Sequence, residues 1–187
     1  IKCVEEGLKL NFPEAISNER KLFEECIQSP QRQGLIHSFF AERANTKVPE
    51  LKVGKPIELK KIGIIGGGTM GTGISMAAMN AGLDVIMIEQ NDEAIEKAKT
   101  KINATYDRNV KLNRINNEQK LEIMSMFSAT TDFNELKDRD LIIEAVFENM
   151  DIKKEVFSKL NQICRKNCIL ATNTSYLNVN EIATIVD

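Results

Sequence analysis

The chain has 187 residues, 42% of them hydrophobic, which is enough for one domain of about 100–200 residues plus additional segments. Its net charge is −2 and no basic block occurs, so the composition points away from nucleic-acid and anionic-membrane surfaces. No apolar run reaches the roughly 18 residues needed to cross a bilayer, no secretory signal opens the chain, and Ile1 in place of Met is expected to mark an internal piece of a longer protein.

Residues 1–44 read as helical. Ser17 is expected to cap a helix running to about Cys26, and Pro30 to open a second, whose Leu35, Ile36, Phe39 and Phe40 form one broad apolar stripe. Residues 45–60 carry Pro49, Gly54 and Pro56 among charged residues and read as an extended linker. Two helices bury little by themselves, so this tail is expected to pack against another domain.

From Lys61 the pattern alternates strand and helix. Strands are expected at 61–65, 84–88, 126–130, 141–146 and 168–172. Helices are expected at 69–81, from Asp92 to about Leu112 with Ile95, Ala98, Ile102 and Thr105 inward, from a cap at Asn116 or Asn117, after Asp151, and from about Val179. Continuous apolar strands alternating with helices predict an α/β, Rossmann-type doubly wound parallel sheet over 61–187, preceded by the helical segment and linker. Right-handed crossovers give the strand order 126–130, 84–88, 61–65, 141–146, 168–172, with a ligand crevice at the carboxyl ends of 61–65 and 141–146.

The first strand leads into Gly66-x-Gly68-Thr69-Met70-Gly71, a helix follows, and Glu89 ends the second strand. This is the dinucleotide fingerprint in its strand–turn–helix setting. Gly66 permits the turn, Gly68 lets the backbone approach a pyrophosphate, and Gly71 lets the helix pack against the strand. The helix N-terminus offers N–H groups and a positive dipole end to the phosphates. Glu89 is expected to accept hydrogen bonds from the adenosine ribose and to repel a 2′-phosphate, which favours NAD over NADP. A glycine-rich turn without a ligand is the plainer alternative.

Two segments leave the other strand ends: Glu144-Ala145-Val-Phe-Glu148-Asn-Met-Asp-Ile-Lys153 and Ala171-Thr-Asn173-Thr-Ser175. On spacing alone, Glu148 and Lys153 read as a capping acid and a solvated base. Asn173, Thr174 and Ser175 read as turn formers. Cys3, Cys26, Cys164 and Cys168 lack a completing Cys or His pair, so no metal site is expected and they read as reduced thiols of an intracellular protein.

The blocks GGGTMGTGI, LIIEAVFENMDIKKEVF and ATNTSYLNVNEIA resemble, in order, the NAD-binding domain of the L-3-hydroxyacyl-CoA dehydrogenases. Upstream, GLIHSFFAERANTKVP resembles the segment joining the hydratase/isomerase and dehydrogenase halves of the peroxisomal bifunctional enzymes of fatty-acid β-oxidation. The resemblance implies hydride transfer from a (3S)-3-hydroxyacyl-CoA to NAD and a peroxisomal location. It implies that the stretch Gly66, Gly68, Thr69, Met70 and Gly71 binds pyrophosphate and Glu89 the adenosine ribose. Ala145, Glu148, Lys153 and Asn173 would lie along the nicotinamide half, and Ser175 would hydrogen-bond the substrate's 3-oxygen. Thr105 and Lys111 are the nearest candidates for the CoA moiety.

In that family the general base is a histidine in a GxHFFxP block beyond the serine. Asp187 precedes such a block, and the only histidine, His37, stands in the upstream helix. These residues are therefore expected to bind cofactor without turnover, and to need a C-terminal helical domain and an upstream hydratase module as partners. Another NAD-dependent hydroxyacid dehydrogenase, or a non-catalytic dinucleotide-binding protein, remains an alternative.

Overall fold

The computed structural model describes residues 1–45, 47, 54 and 56–186. The chain divides into two compact units, Ile1–Ile57 and Glu58–Asp187. Within the linker expected at 45–60, positions 46, 48–53 and 55, Pro49 among them, lie outside the described residues, as does Asp187.

The first unit holds helices α1 (Lys2–Gly7), α2 (Phe12–Gln28) and α3 (Pro30–Ala44), and none of them buries a residue. Ser17 does not cap a helix. It lies inside α2, whose cap is Asn11, accepting a hydrogen bond from Glu14 N at 3.1 Å. Pro13 is compatible with a first turn, where its missing N–H costs nothing, so the helix begins earlier than Ser17 suggested. Pro30 does open α3, capped by Ser29. Leu35, Ile36, Phe39 and Phe40 are all exposed, and the Arg43 guanidinium lies 3.9 Å from the Phe39 ring centre.

In the second unit, β1 (Lys61–Ile65), β2 (Asp84–Ile88), β3 (Phe127–Thr130), β4 (Leu141–Glu144) and β5 (Ile169–Thr172) form one parallel sheet in the order β3-β2-β1-β4-β5, as expected. Helices α4 (Thr69–Asn80), α5 (Asp92–Lys111), α6 (Asn117–Ser125), α7 (Met150–Ile163) and α8 (Val179–Ala183) complete it, with a 3-10 turn at Phe133–Leu136 that periodicity did not announce. Asn116 caps α6 through a reciprocal capping box with Gln119.

Alternate strand residues face two cores. Ile62, Ile64, Val85 and Met87 pack with Met79 of α4 and with Ala98, Ile102 and Tyr106 of α5. Ile65, Ile86, Ile88 and Ile142 pack with Leu136 and with Val156 and Leu160 of α7. Each such aliphatic side chain contributes about 1.5–3 kcal/mol on burial. Tyr106, not Thr105, takes the last inward place of α5; the Thr105 hydroxyl donates back to Lys101 O at 3.0 Å instead.

The register places the site. Ile65 pairs with both Ile88 and Glu144, Ile88 with Thr130, and Glu144 with Thr172, so all five strands finish on one line. The ladder continues one residue further: Gly66 N donates to Ile88 O, Ala145 N to Ile65 O, Glu89 N to Thr130 O and Asn173 N to Glu144 O, at 2.8–3.1 Å. Gly66, Glu89, Ala145 and Asn173 therefore stand side by side along the carboxyl edge.

Candidate functional site

The turn from β1 to α4 begins at Gly66, whose φ of +98° is a left-handed conformation that side chains rarely adopt. A Cβ there would also meet Ala145 O at 2.8 Å. At Gly71 a Cβ would lie 1.7 Å from Gly66 O, so the first turn of α4 is pressed onto the strand end. Gly68 is the N-cap of α4 and makes no side-chain cap hydrogen bond; nothing lies within 4 Å of where its Cβ would be. Thr69 and Met70 are exposed beside it. An open helix N-terminus without a side-chain cap, approached by a glycine backbone, fits a diphosphate.

Glu89 bounds this turn from the β2 side. Its carboxylate accepts hydrogen bonds from Gly67 N and, at 3.0 Å, from Gln90 N. Gly67 was not singled out in the sequence, yet a Cβ there would lie 2.8–2.9 Å from Ala98 Cβ, Met87 Sδ and Glu89 Oε1. The uninterrupted glycine triplet was the available signal. Lys101 of α5 also escaped notice; its Nζ donates to Thr69 Oγ1 at 3.3 Å.

The β4–β5 side holds a polar network. Lys153 has no exposed side-chain surface, and its Nζ lies 2.7 and 2.9 Å from the two carboxylate oxygens of Glu144, itself fully buried. It lies 3.4 Å from Glu148 Oε2 as well. Glu144 also accepts from Val146 N at 2.7 Å and Thr172 Oγ1 at 2.6 Å. Glu148 accepts from Thr174 Oγ1 and, at 3.0 Å, from Ser175 N. The Thr174 hydroxyl, then the Ser175 N–H and Lys153, hold its carboxyl below the usual carboxylate range.

The reading of Lys153 as a solvated base and Glu148 as a cap is thus corrected. Asn149 caps α7, accepting from Asp151 N and Ile152 N, and Lys153 falls on the inward stripe with Val156, Phe157 and Leu160. Glu148 is left to join the two strand-end segments. Glu144 had no distinguishing signal beyond being an acid at the end of an apolar strand.

The structure brings Glu148 and Lys153 together with the Thr174–Ser175 turn, and Ala145 with Gly66. Asn173 is half-buried and Ser175 exposed. Thr105 and Lys111 lie on α5, Thr105 one turn beyond the Lys101 that reaches Thr69, and His37 belongs to the first unit. All four cysteines are free, with Cys164 and Cys168 half-buried where α7 gives way to β5. Their mutual hydrogen bond raises the Cys164 thiol and lowers that of Cys168. Among the described residues no group of three or more His, Cys, Asp or Glu could hold a metal ion, and no helix is long and apolar enough to cross a membrane.

Residues 61–187 match the family described as 3-hydroxyacyl-CoA dehydrogenase, NAD binding domain. The chain is 35% identical over 185 residues to the peroxisomal fatty acid beta-oxidation multifunctional protein of Oryza sativa subsp. japonica, covering 97% of this chain and 25% of that protein. It is 32% identical over 194 residues to the peroxisomal bifunctional enzyme of Danio rerio, covering 100% of this chain and 26% of that enzyme. The crystal structure of the dehydrogenase part of multifunctional enzyme 1 from C. elegans superposes with a TM-score of 0.63 at 34% identity, over 70% of this chain and 30% of that one. The chain spans about a quarter of the length of the curated relatives it matches.

Proposed function

The chain belongs to the 3-hydroxyacyl-CoA dehydrogenase family through its NAD-binding domain, and on that premise we propose that it is the cofactor-binding part of an enzyme oxidising (3S)-3-hydroxyacyl-CoA to 3-oxoacyl-CoA. The observation that carries this reading is the line of strand ends, which sets the phosphate turn between Glu89 on one side and the Glu148–Ser175 cluster on the other.

Each residue has a task in this scheme. The α4 N-terminus at Gly68 to Gly71 holds the diphosphate by N–H groups and dipole. Glu89 accepts from the adenosine ribose hydroxyls. Ala145, Glu148, Lys153 and Asn173 border the nicotinamide half, and Ser175 donates a hydrogen bond to the substrate's 3-oxygen. The bound dinucleotide supplies the hydride acceptor. A serine donor orients the hydroxyl but does not remove its proton, which calls for a base of near-neutral pKa. Residues 58–187 contain no histidine, the chain's only one being His37 of the first unit.

The relatives' names support a peroxisomal β-oxidation setting. In this reading helices α1–α3 are the tail of a hydratase/isomerase module, and a further helical domain completes the acyl-CoA cleft. The test is NAD reduction by the full-length protein with a (3S)-3-hydroxyacyl-CoA. Reduction is expected with that substrate; reduction only with short 2-hydroxy acids would favour another hydroxyacid dehydrogenase.

A further inference from the structure

Taking two charges out of water is expensive, and a buried ion pair is often no better for stability than an apolar pair of the same volume. The Glu144–Lys153 pair is fully buried, yet it lies at the strand ends and not in the centre of either core. Glu148, whose side chain keeps 25% of its surface, is the solvent-facing member of the cluster. The three groups form a single cluster of two carboxylates and one ammonium, so it carries one net negative charge. The Lys153 ammonium is closer to Glu144, at 2.7 and 2.9 Å, than to Glu148, at 3.4 Å. Glu144 thus neutralises Lys153 from below and leaves the negative charge on the exposed member.

Glu148 also accepts from Thr174 and from Ser175 N, so that charge faces the turn after β5. With the diphosphate at Gly68 and the adenosine toward Glu89, the other half of the dinucleotide extends to this side of β1. Its nicotinamide ring is positively charged when oxidised and neutral when reduced. We propose that Glu144 is a positioning residue that sets the oxidation-state preference of the site: by neutralising Lys153 it keeps a net negative charge beside the ring and so favours NAD+ relative to NADH. The inference rests on the NAD-binding reading above.

The test is calorimetric titration of the chain with NAD+ and NADH separately, reading the ratio of the two Kd values. In Glu144→Gln the cluster becomes neutral, and the Kd for NAD+ is expected to rise relative to that for NADH by about threefold or more. In the double variant Glu144→Gln, Lys153→Met the charge returns to that of Glu148 alone, and the ratio is expected within about twofold of wild type. A purely structural role would weaken both forms equally, so an unchanged ratio in Glu144→Gln overturns the inference while leaving the NAD reading standing. If that single variant does not fold, Glu148→Gln, which makes the cluster neutral at its partly exposed member, decides: the same rise in the ratio supports the inference and an unchanged ratio overturns it. A wild-type chain that binds neither form removes both.

Discussion

The Glu89 carboxylate accepts a hydrogen bond from Gly67 N–H, so the acid that ends β2 reaches across the phosphate turn that follows β1. The two segments meet because Ile65 and Ile88 pair in register, which brings Gly66 and Glu89 out at the same level of the sheet. A Cβ at Gly67 would lie 2.9 Å from that carboxylate. The turn and the acid are therefore one unit, held at a fixed spacing.

Gly68 and Gly71 should respond oppositely to substitution. Gly68→Val adds a side chain into open space, so the chain should fold with a loss of about 1 kcal/mol or less from the changed cap. NADH binding should nonetheless vanish, because the valine fills the approach to the α4 N-terminus. Gly71→Ala places a methyl group against Gly66 O and should cost about 3 kcal/mol in folding. Thermal unfolding and NADH titration of both variants check this. Unchanged affinity in a folded Gly68→Val chain would move the phosphate turn elsewhere.

Asp140 should make stability acid-sensitive. Its Oδ2 accepts from Lys60 N and Lys61 N at 2.8 Å each, tying the entry of β1 to the start of β4, and its other oxygen pairs with Arg165. Those backbone N–H groups, and then Arg165, hold the carboxyl below its ordinary value. A carboxylate with a depressed folded-state pKa contributes stability above its unfolded pKa of about 4 and loses it as pH falls through the lower folded value. Asp140→Asn should cost about 1 kcal/mol at pH 7, and the gap to wild type should close as pH falls toward about 3. Urea unfolding at the two pH values measures it; a gap that stays constant would contradict the assignment.

Strand order, the fingerprint turn and most helix spans were legible in the sequence because they follow from local patterns. Glycine spacing, apolar runs and a cap such as Asn116 each act within a few residues. The network around Lys153 was not legible, because its parts come from β4, α7 and the turn after β5, and lysine ordinarily lies at a solvated surface. Helical spacing of apolar residues alone puts Ile152, Val156, Leu160 and Ile163 on one stripe of α7, whereas Ile152 is 40% exposed and Lys153 faces in. Thr105 was misplaced by one position on α5 because Tyr106, with its hydroxyl donating to Asn80 at 2.9 Å, fills the inward volume better.

Ser175→Ala in the full-length protein separates substrate from cofactor contacts. The hydroxyl is assigned to the substrate oxygen, while Ser175 holds Glu148 through its backbone N–H, which alanine retains. Turnover with a 3-hydroxyacyl-CoA should fall by about tenfold to a hundredfold, with NADH affinity within about twofold of wild type. Steady-state kinetics and titration on the same preparation report both. Normal turnover would remove Ser175 from the site, and weakened NADH binding with normal turnover would assign it to the cofactor.

The most direct measurement is equilibrium titration of the chain with NADH and with NADPH, repeated for Glu89→Ala. Wild type should bind NADH more tightly than NADPH by about tenfold or more, because a 2′-phosphate would meet the Glu89 carboxylate. Glu89→Ala should lose much of that preference. Equal affinity of the wild type for the two cofactors, or binding of neither, would contradict the assignment of this turn and acid as an NAD site.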